Sequence, residues 1–211
     1  MDLVQTFGSL TQHSAHWVMW LLLALSVVAI AVVLERGVLF LASRDDMAEL
    51  RSELRRLLDD GELEAARRRL EESPSFEARV AVAGLDASGT ASAEERMRGE
   101  TELVRLTMER NLAFLGTLGN NAPFVGLLGT VIGIVRSFRE LAGSSGQLSA
   151  SLLAEIGEAL VATAIGLLVA LPAVAFFNFY QRLIRARIGR AEALVHEILA
   201  FRKATLSAEA A

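Results

Sequence analysis

The chain has 211 residues, 53% of them hydrophobic, with a mean hydropathy of +0.41, yet 22% are charged. Its charge is therefore segregated from its apolar stretches, which argues against a single soluble domain. Lys and Arg number 21 against 25 Asp and Glu, for a net charge of -4, and no aromatic residues interleave the basic clusters, so nucleic-acid binding gets no support. The absence of Cys removes disulfides, thiolate zinc sites and thiol catalysis at once. The three His, at positions 13, 16 and 196, have no metal partner in sequence.

Residues 1–16 carry no Lys or Arg and read as a short periplasmic segment. From Trp17 to Leu34 Ser26 is the only polar side chain, and Gly37 to Ala42 extends the stretch, so residues 17–42 are expected to cross a bilayer as the first transmembrane helix. A signal peptide is disfavoured: the apolar core is too long, the preceding residues are not basic, and no small-residue cleavage site follows. Glu35 and Arg36 near its end read as an interfacial ion pair.

Residues 43–111 read as a cytoplasmic helical region, with short amphipathic helices separated by Asp59-Asp60-Gly61 and by Ser73-Pro74. Its charge runs are most simply solvated faces. Ser92 followed by Glu95 forms a capping box. From there one helix is expected to run to Leu141 through the second span, residues 112–138, interrupted by no Pro but Pro123. At 1.5 Å per residue such a helix is about 73 Å long, more than twice the hydrocarbon thickness. Residues 139–151 form a polar periplasmic loop, residues 152–180 the third span, and residues 181–211 a cytoplasmic C-terminal helix, with a kink at Pro172.

Twelve Arg lie between positions 44 and 110, and five Arg and Lys203 between 182 and 203, while positions 1–16 and 140–152 hold no Lys or Arg. Basic flanks stay cytoplasmic, so the amino terminus is placed outside and the carboxyl terminus inside. Arg136 and Arg139 oppose that rule. The expected fold is thus an all-α membrane protein with three transmembrane helices, two of them long and extending into a cytoplasmic helical bundle.

Alternate steps of four and three in the second span pick out Gly119, Pro123, Gly126, Thr130, Gly133 and Ser137, every one small or Pro. In the third span the matching row is Glu155, Ala159, Thr163, Gly166, Ala170 and Ala173. Such rows let helix backbones approach closely, which makes Gly126, Gly133 and Gly166 packing candidates, and Pro172 is counted with them. Thr130 and Thr163 either bond within their own helices or form a polar band in an apolar pore wall. Glu158, near the outer end of the third span, either marks the interface at a helix start or gathers cations at the mouth of a pathway. No enzyme motif is found: Gly126-Leu-Leu-Gly129-Thr-Val-Ile-Gly133 has the wrong spacing for a dinucleotide fingerprint and lies inside a span.

The segment from Asn121 to Phe138, NAPFVGLLGTVIGIVRSF, followed by Gly157 to Val174, GEALVATAIGLLVALPAV, closely resembles the MotA/TolQ/ExbB proton-channel family, nearest its ExbB and TolQ branch. The resemblance implies an oligomeric ring, a homopentamer whose second and third spans line a pore occupied by an ExbD- or TolR-like single-span dimer. It implies that proton-motive force drives motion between the two in the bacterial inner membrane, acting on a TonB-like or TolA-like protein. Thr130, Thr163 and Glu158 match the family's ion-pathway positions. No cofactor is implied; the transported ion is H⁺, with Na⁺ open because hydroxyls also ligate it. Import, envelope maintenance and gliding motility are alternative roles, and a passive membrane scaffold is the rival from another class.

Overall fold

A computed structural model describes residues 16–87, 89–143 and 149–209, so residues 1–15 of the expected periplasmic segment and residues 144–148 of the polar loop after the second span lie outside the described residues. All regular structure among the described residues is helical: α1 (His16–Ala42), α2 (Met47–Asp59), α3 (Leu63–Glu71), α4 (Phe76–Leu85), α5 (Thr90–Glu109), α6 (Leu112–Gly143) and α7 (Ala150–Glu209). Three of these, α1, α6 and α7, are long and apolar enough to cross a membrane. The chain divides into two compact units, the first containing residues 16–33 and 111–178, the second residues 34–110 and 179–209.

In the first unit α6 and α7 pack antiparallel. Gly119 faces Val174, Gly126 faces Thr163 and Gly166, and Gly133 faces Ala159, so partner numbers fall as α6 numbers rise. Val18 and Leu22 of α1 are fully buried in the same unit, and Val18 lies beside Gly129. Along the glycine contact bulky side chains of α6 turn outward, with Phe124, Leu127 and Val131 all exposed, while Leu112, Leu115, Leu118 and Ile132 are buried. Small residues at the helix contact with exposed large ones beside them suit a helix pair whose outer surface meets lipid or other chains.

The second unit is built as a soluble helical core is. Leu50, Leu54 and Leu58 recur every four residues on α2 and are buried, each contributing about 1.5 to 3 kcal/mol. Asp46 caps α2 by accepting from the backbone N–H of Ala48 and Glu49, Gly61 takes the left-handed conformation (φ 76°) that turns the chain into α3, and Ser75 caps α4 through the Ala78 N–H. On α5 the row Ala93, Met97, Thr101, Val104 and Met108 is buried, and Met97 meets α4, where Gly84 leaves room for its sulfur.

Two expectations about α5 are corrected. Ser92 does not cap it: the helix starts at Thr90 after an extended Gly89, and no side chain caps its end. Nor does one helix run from there to Leu141. The chain leaves the helical path at Arg110 (ψ 136°) and Asn111 adopts φ 62°, the left-handed region that Asn tolerates better than most residues. The third span, by contrast, is a single helix from Ala150 to Glu209, uninterrupted at Pro172.

Within residues 43–111 the reading of charge runs as solvated faces fails at Glu77, and outside that region two further charged side chains are buried. Arg36, Arg187 and Glu77 are 4%, 5% and 2% exposed. Arg187 donates to the Phe40 carbonyl at 2.7 Å and to the Ser43 carbonyl and hydroxyl at 2.7 and 3.0 Å, satisfying the carboxyl end of α1. Arg36 donates to the Thr107 carbonyl at 2.9 Å near the end of α5, and Arg202 to those of Leu85 and Ala87 at the end of α4. A helix terminus leaves carbonyls without intrahelical partners, and a guanidinium there meets both the hydrogen-bond deficit and the negative end of the dipole.

Candidate functional site

The close contact between α6 and α7 is set by residues that lack a side chain. A Cβ on Gly126 would stand 2.8 Å from the Ala162 carbonyl oxygen and 3.0 Å from the Thr163 Cα, and one on Gly166 would stand 2.7 Å from the Ala122 carbonyl oxygen. A Cβ on Gly133 would collide with that of Ala159. Because the obstacles at Gly126 and Gly166 are backbone atoms, no rotamer change relieves them. Pro172 lies apart from this contact, its side chain exposed.

The two threonines meet in that contact. The Thr130 and Thr163 hydroxyls are hydrogen-bonded to each other, and Thr130 Oγ1 donates to the Ala159 carbonyl at 3.0 Å. A hydroxyl has one hydrogen, so the consistent arrangement is a relay in which Thr163 donates to Thr130 and Thr130 donates to Ala159. Residue 159 lies four positions before Thr163, so Thr130 occupies the carbonyl that Thr163 would otherwise back-bond. Thr130 is 9% exposed, its own-helix contact to Gly126 only marginal at 3.5 Å, whereas Thr163 is half-buried and keeps its acceptor lone pairs.

Acidic and basic groups gather toward the carboxyl end of α6 and the amino ends of α1 and α7. His16 Nδ1 lies 2.9 Å from Glu158 Oε1. Arg136 Nε lies 3.0 Å from Glu155 Oε1, which gives the basic residue that opposed the orientation rule an acid partner within the same unit. Sequence reasoning named all four residues without pairing them; the available signal was that His16, Arg136, Glu155 and Glu158 all sit close to the same ends of their spans. Ser137 donates to the Gly133 carbonyl at 3.0 Å, bonding within its own helix. Among the described residues no group of three His, Asp or Glu is placed to hold a metal ion.

Three apolar helices, two of them locked by a glycine contact with paired hydroxyls at its centre, define a polytopic helical membrane protein. Residues 44–193 match the model of the MotA/TolQ/ExbB proton channel family, and the chain belongs to that family. It is 34% identical over 153 residues to the biopolymer transport protein ExbB of Xanthomonas campestris, covering 62% of this chain and 60% of that protein. It is 47% identical over 83 residues to the Tol-Pal system protein TolQ of Pseudomonas aeruginosa, covering 39% of this chain and 36% of that one. A putative ExbB-like protein of Helicobacter pylori is 40% identical over 79 residues, 37% of this chain and 53% of its own length. In each case the match takes in less than two thirds of the relative.

Proposed function

We propose that this chain is the pore-forming, stator-type subunit of a proton-motive-force-driven motor in the bacterial inner membrane, passing energy to the outer membrane or cell envelope in the manner of ExbB. The observation that carries the reading is the Thr163–Thr130–Ala159 relay inside the apolar α6–α7 contact of a proton channel family member. Thr163, with free lone pairs, is the hydroxyl that meets the ion or its carrier; Thr130 holds it in place. Glu158, paired with His16, gathers cations at the outer mouth.

A charge at the bilayer centre costs about 2.5 to 3.5 kcal/mol on insertion scales, and no Asp, Lys or Arg lies between Asn111 and Ile134 or between Glu158 and Phe179. The titrating carrier therefore belongs to a partner, a dimer of ExbD- or TolR-like single-span chains inside a ring of five copies. A translocated proton delivers about 2.3 kcal/mol per 100 mV, which the ring passes to a TonB-like or TolA-like protein. The amino terminus faces the periplasm and the carboxyl terminus the cytoplasm. Label reaching a Cys introduced at Ser207 from the periplasm would reverse that orientation.

The deep burial of Thr130 favours one rival, a scaffold in which the hydroxyls only join helices. Complementation of energy-dependent work, with oligomer mass in detergent, separates the two. Thr130→Val with Thr163→Val should assemble and stop working, because Val keeps the shape and removes the polar atoms. Thr→Ser at both sites should retain much of the activity. A double Val protein that assembles and works normally would establish the scaffold.

A further inference from the structure

A cavity of about 500 Å³ lies in the second unit, where the carboxyl end of α1 and residues 179–190 of α7 meet the start of α4. That volume falls within the range of small-molecule sites. Its apolar wall is Phe40, Leu41, Phe179 and Leu183, which continue directly from the apolar stretches of α1 and α7. The cavity thus opens where two membrane-crossing helices end, with the large side chains Leu41 and Phe179 exposed.

Its charged wall is unbalanced. Arg44, Arg187 and Arg190 line it together with Asp45 and Glu77. Asp45 is already engaged by the Ser73 hydroxyl and by Arg69 at 3.6 Å, and Glu77 lies 3.7 Å from Arg187. Arg44 and Arg190 are exposed, and neither makes an ion pair among the described residues. Arg187 adds a buried positive charge whose Nε has no hydrogen-bond partner, and Glu77 Oε2, also buried, has none either. The site therefore holds surplus positive charge, two buried polar atoms without hydrogen-bond partners, and an apolar wall continuous in sequence with the apolar stretches of α1 and α7.

We propose that this cavity binds one anionic phospholipid with a hydroxylated headgroup, of the phosphatidylglycerol type. Arg44 and Arg190 take its phosphate, and its first acyl carbons lie along Phe40, Leu41, Phe179 and Leu183. A free phosphate would use the charge and leave the apolar wall wet; a zwitterionic lipid would use the wall and leave the arginine charge uncompensated. Basic pockets between membrane helices select anionic headgroups on these grounds. The lipid would tie α1 to α7 beside the Arg187 cap. The inference needs only that α1 and α7 cross a bilayer and does not depend on ion conduction.

The test uses the full chain in neutral detergent, titrated with phosphatidylglycerol, phosphatidylcholine or inorganic phosphate and read by native mass spectrometry. One tight phosphatidylglycerol per chain is expected, with phosphatidylcholine and phosphate much weaker. Arg44→Gln with Arg190→Gln should weaken phosphatidylglycerol about thirtyfold, from two basic contacts. Arg182→Gln with Arg185→Gln removes the same charge from exposed α7 positions outside the cavity and should change binding by less than about threefold. Equal losses in the two pairs, no loss in the first, or equal affinity for inorganic phosphate would each overturn the proposal. Both pairs replace exposed side chains, so folding is preserved.

Discussion

Thr130 accepts a hydrogen bond from Thr163 while donating its own hydrogen to the Ala159 carbonyl, so one hydroxyl bridges α6 to both a side chain and the backbone of α7. Bonds of this kind between membrane helices contribute on average about 0.6 kcal/mol and at most about 1.7 kcal/mol. Because the two residues share one bond, their losses should not add. Thr130→Val and Thr163→Val should each lower stability, and the double variant should lose less than the sum of the singles. Unfolding in detergent measures the cycle, and additivity within about 0.3 kcal/mol would show that the bond contributes nothing.

The glycine contact makes a sharper distinction. Gly126→Leu drives a side chain into the Ala162 carbonyl and the Thr163 backbone, and Gly133→Leu drives one into Ala159. Val131→Leu adds similar bulk to a side chain that is 44% exposed. Overpacking costs about 1 to 3 kcal/mol where neighbours can shift and more where they are backbone. Both glycine variants should therefore lose stability and oligomer mass in detergent while the Val131 variant stays near wild type. Equal behaviour of the three would remove the contact as a determinant of assembly.

Glu77 and Arg187 respond differently to removal. Arg187→Gln strips the end of α1 of its cap and removes the cation nearest Glu77, leaving only the weaker influence of Arg190, a loss of about 3 to 5 kcal/mol. Glu77→Gln removes a carboxylate that burial pushes above its ordinary range, with Arg187 only partly offsetting it, and Arg187 keeps its carbonyl partners. A carboxyl group with a higher pKa folded than unfolded favours folding at low pH. Its contribution declines as pH rises above about 4.5, the unfolded value. Asp45 has the opposite sign: the Ser73 hydroxyl holds its carboxyl below the usual range, so its contribution is present above about 3.8 and is lost on acidification. Melting temperature against pH should thus show Glu77→Gln gaining on wild type as pH rises, and Asp45→Asn losing. A Glu77→Gln difference independent of pH would contradict the burial argument.

The sequence by itself determined the spans, the small-residue rows and the family, because each is a property of neighbouring residues. Apolarity over some 20 positions decides membrane insertion, and the alternation of four and three that selects Gly126, Thr130 and Gly133 is the period of the helix itself. Tertiary structure alone decided the rest. Asn111 breaks what reads as one long helix, with no Pro or Gly to announce it, because Asn tolerates the left-handed region better than most residues and one residue there ends the helical path. Arg187 reads as one more charge on a basic tail until the fold sets it against carbonyls 144 and 147 positions away. Thr130 and Thr163, 33 residues apart, share a hydroxyl bond only because glycines let two backbones close to contact. Local composition says which residues leave water; which polar groups must then find one another depends on where the chain brings them, since a buried donor or acceptor is satisfied by distance in space and not along the sequence.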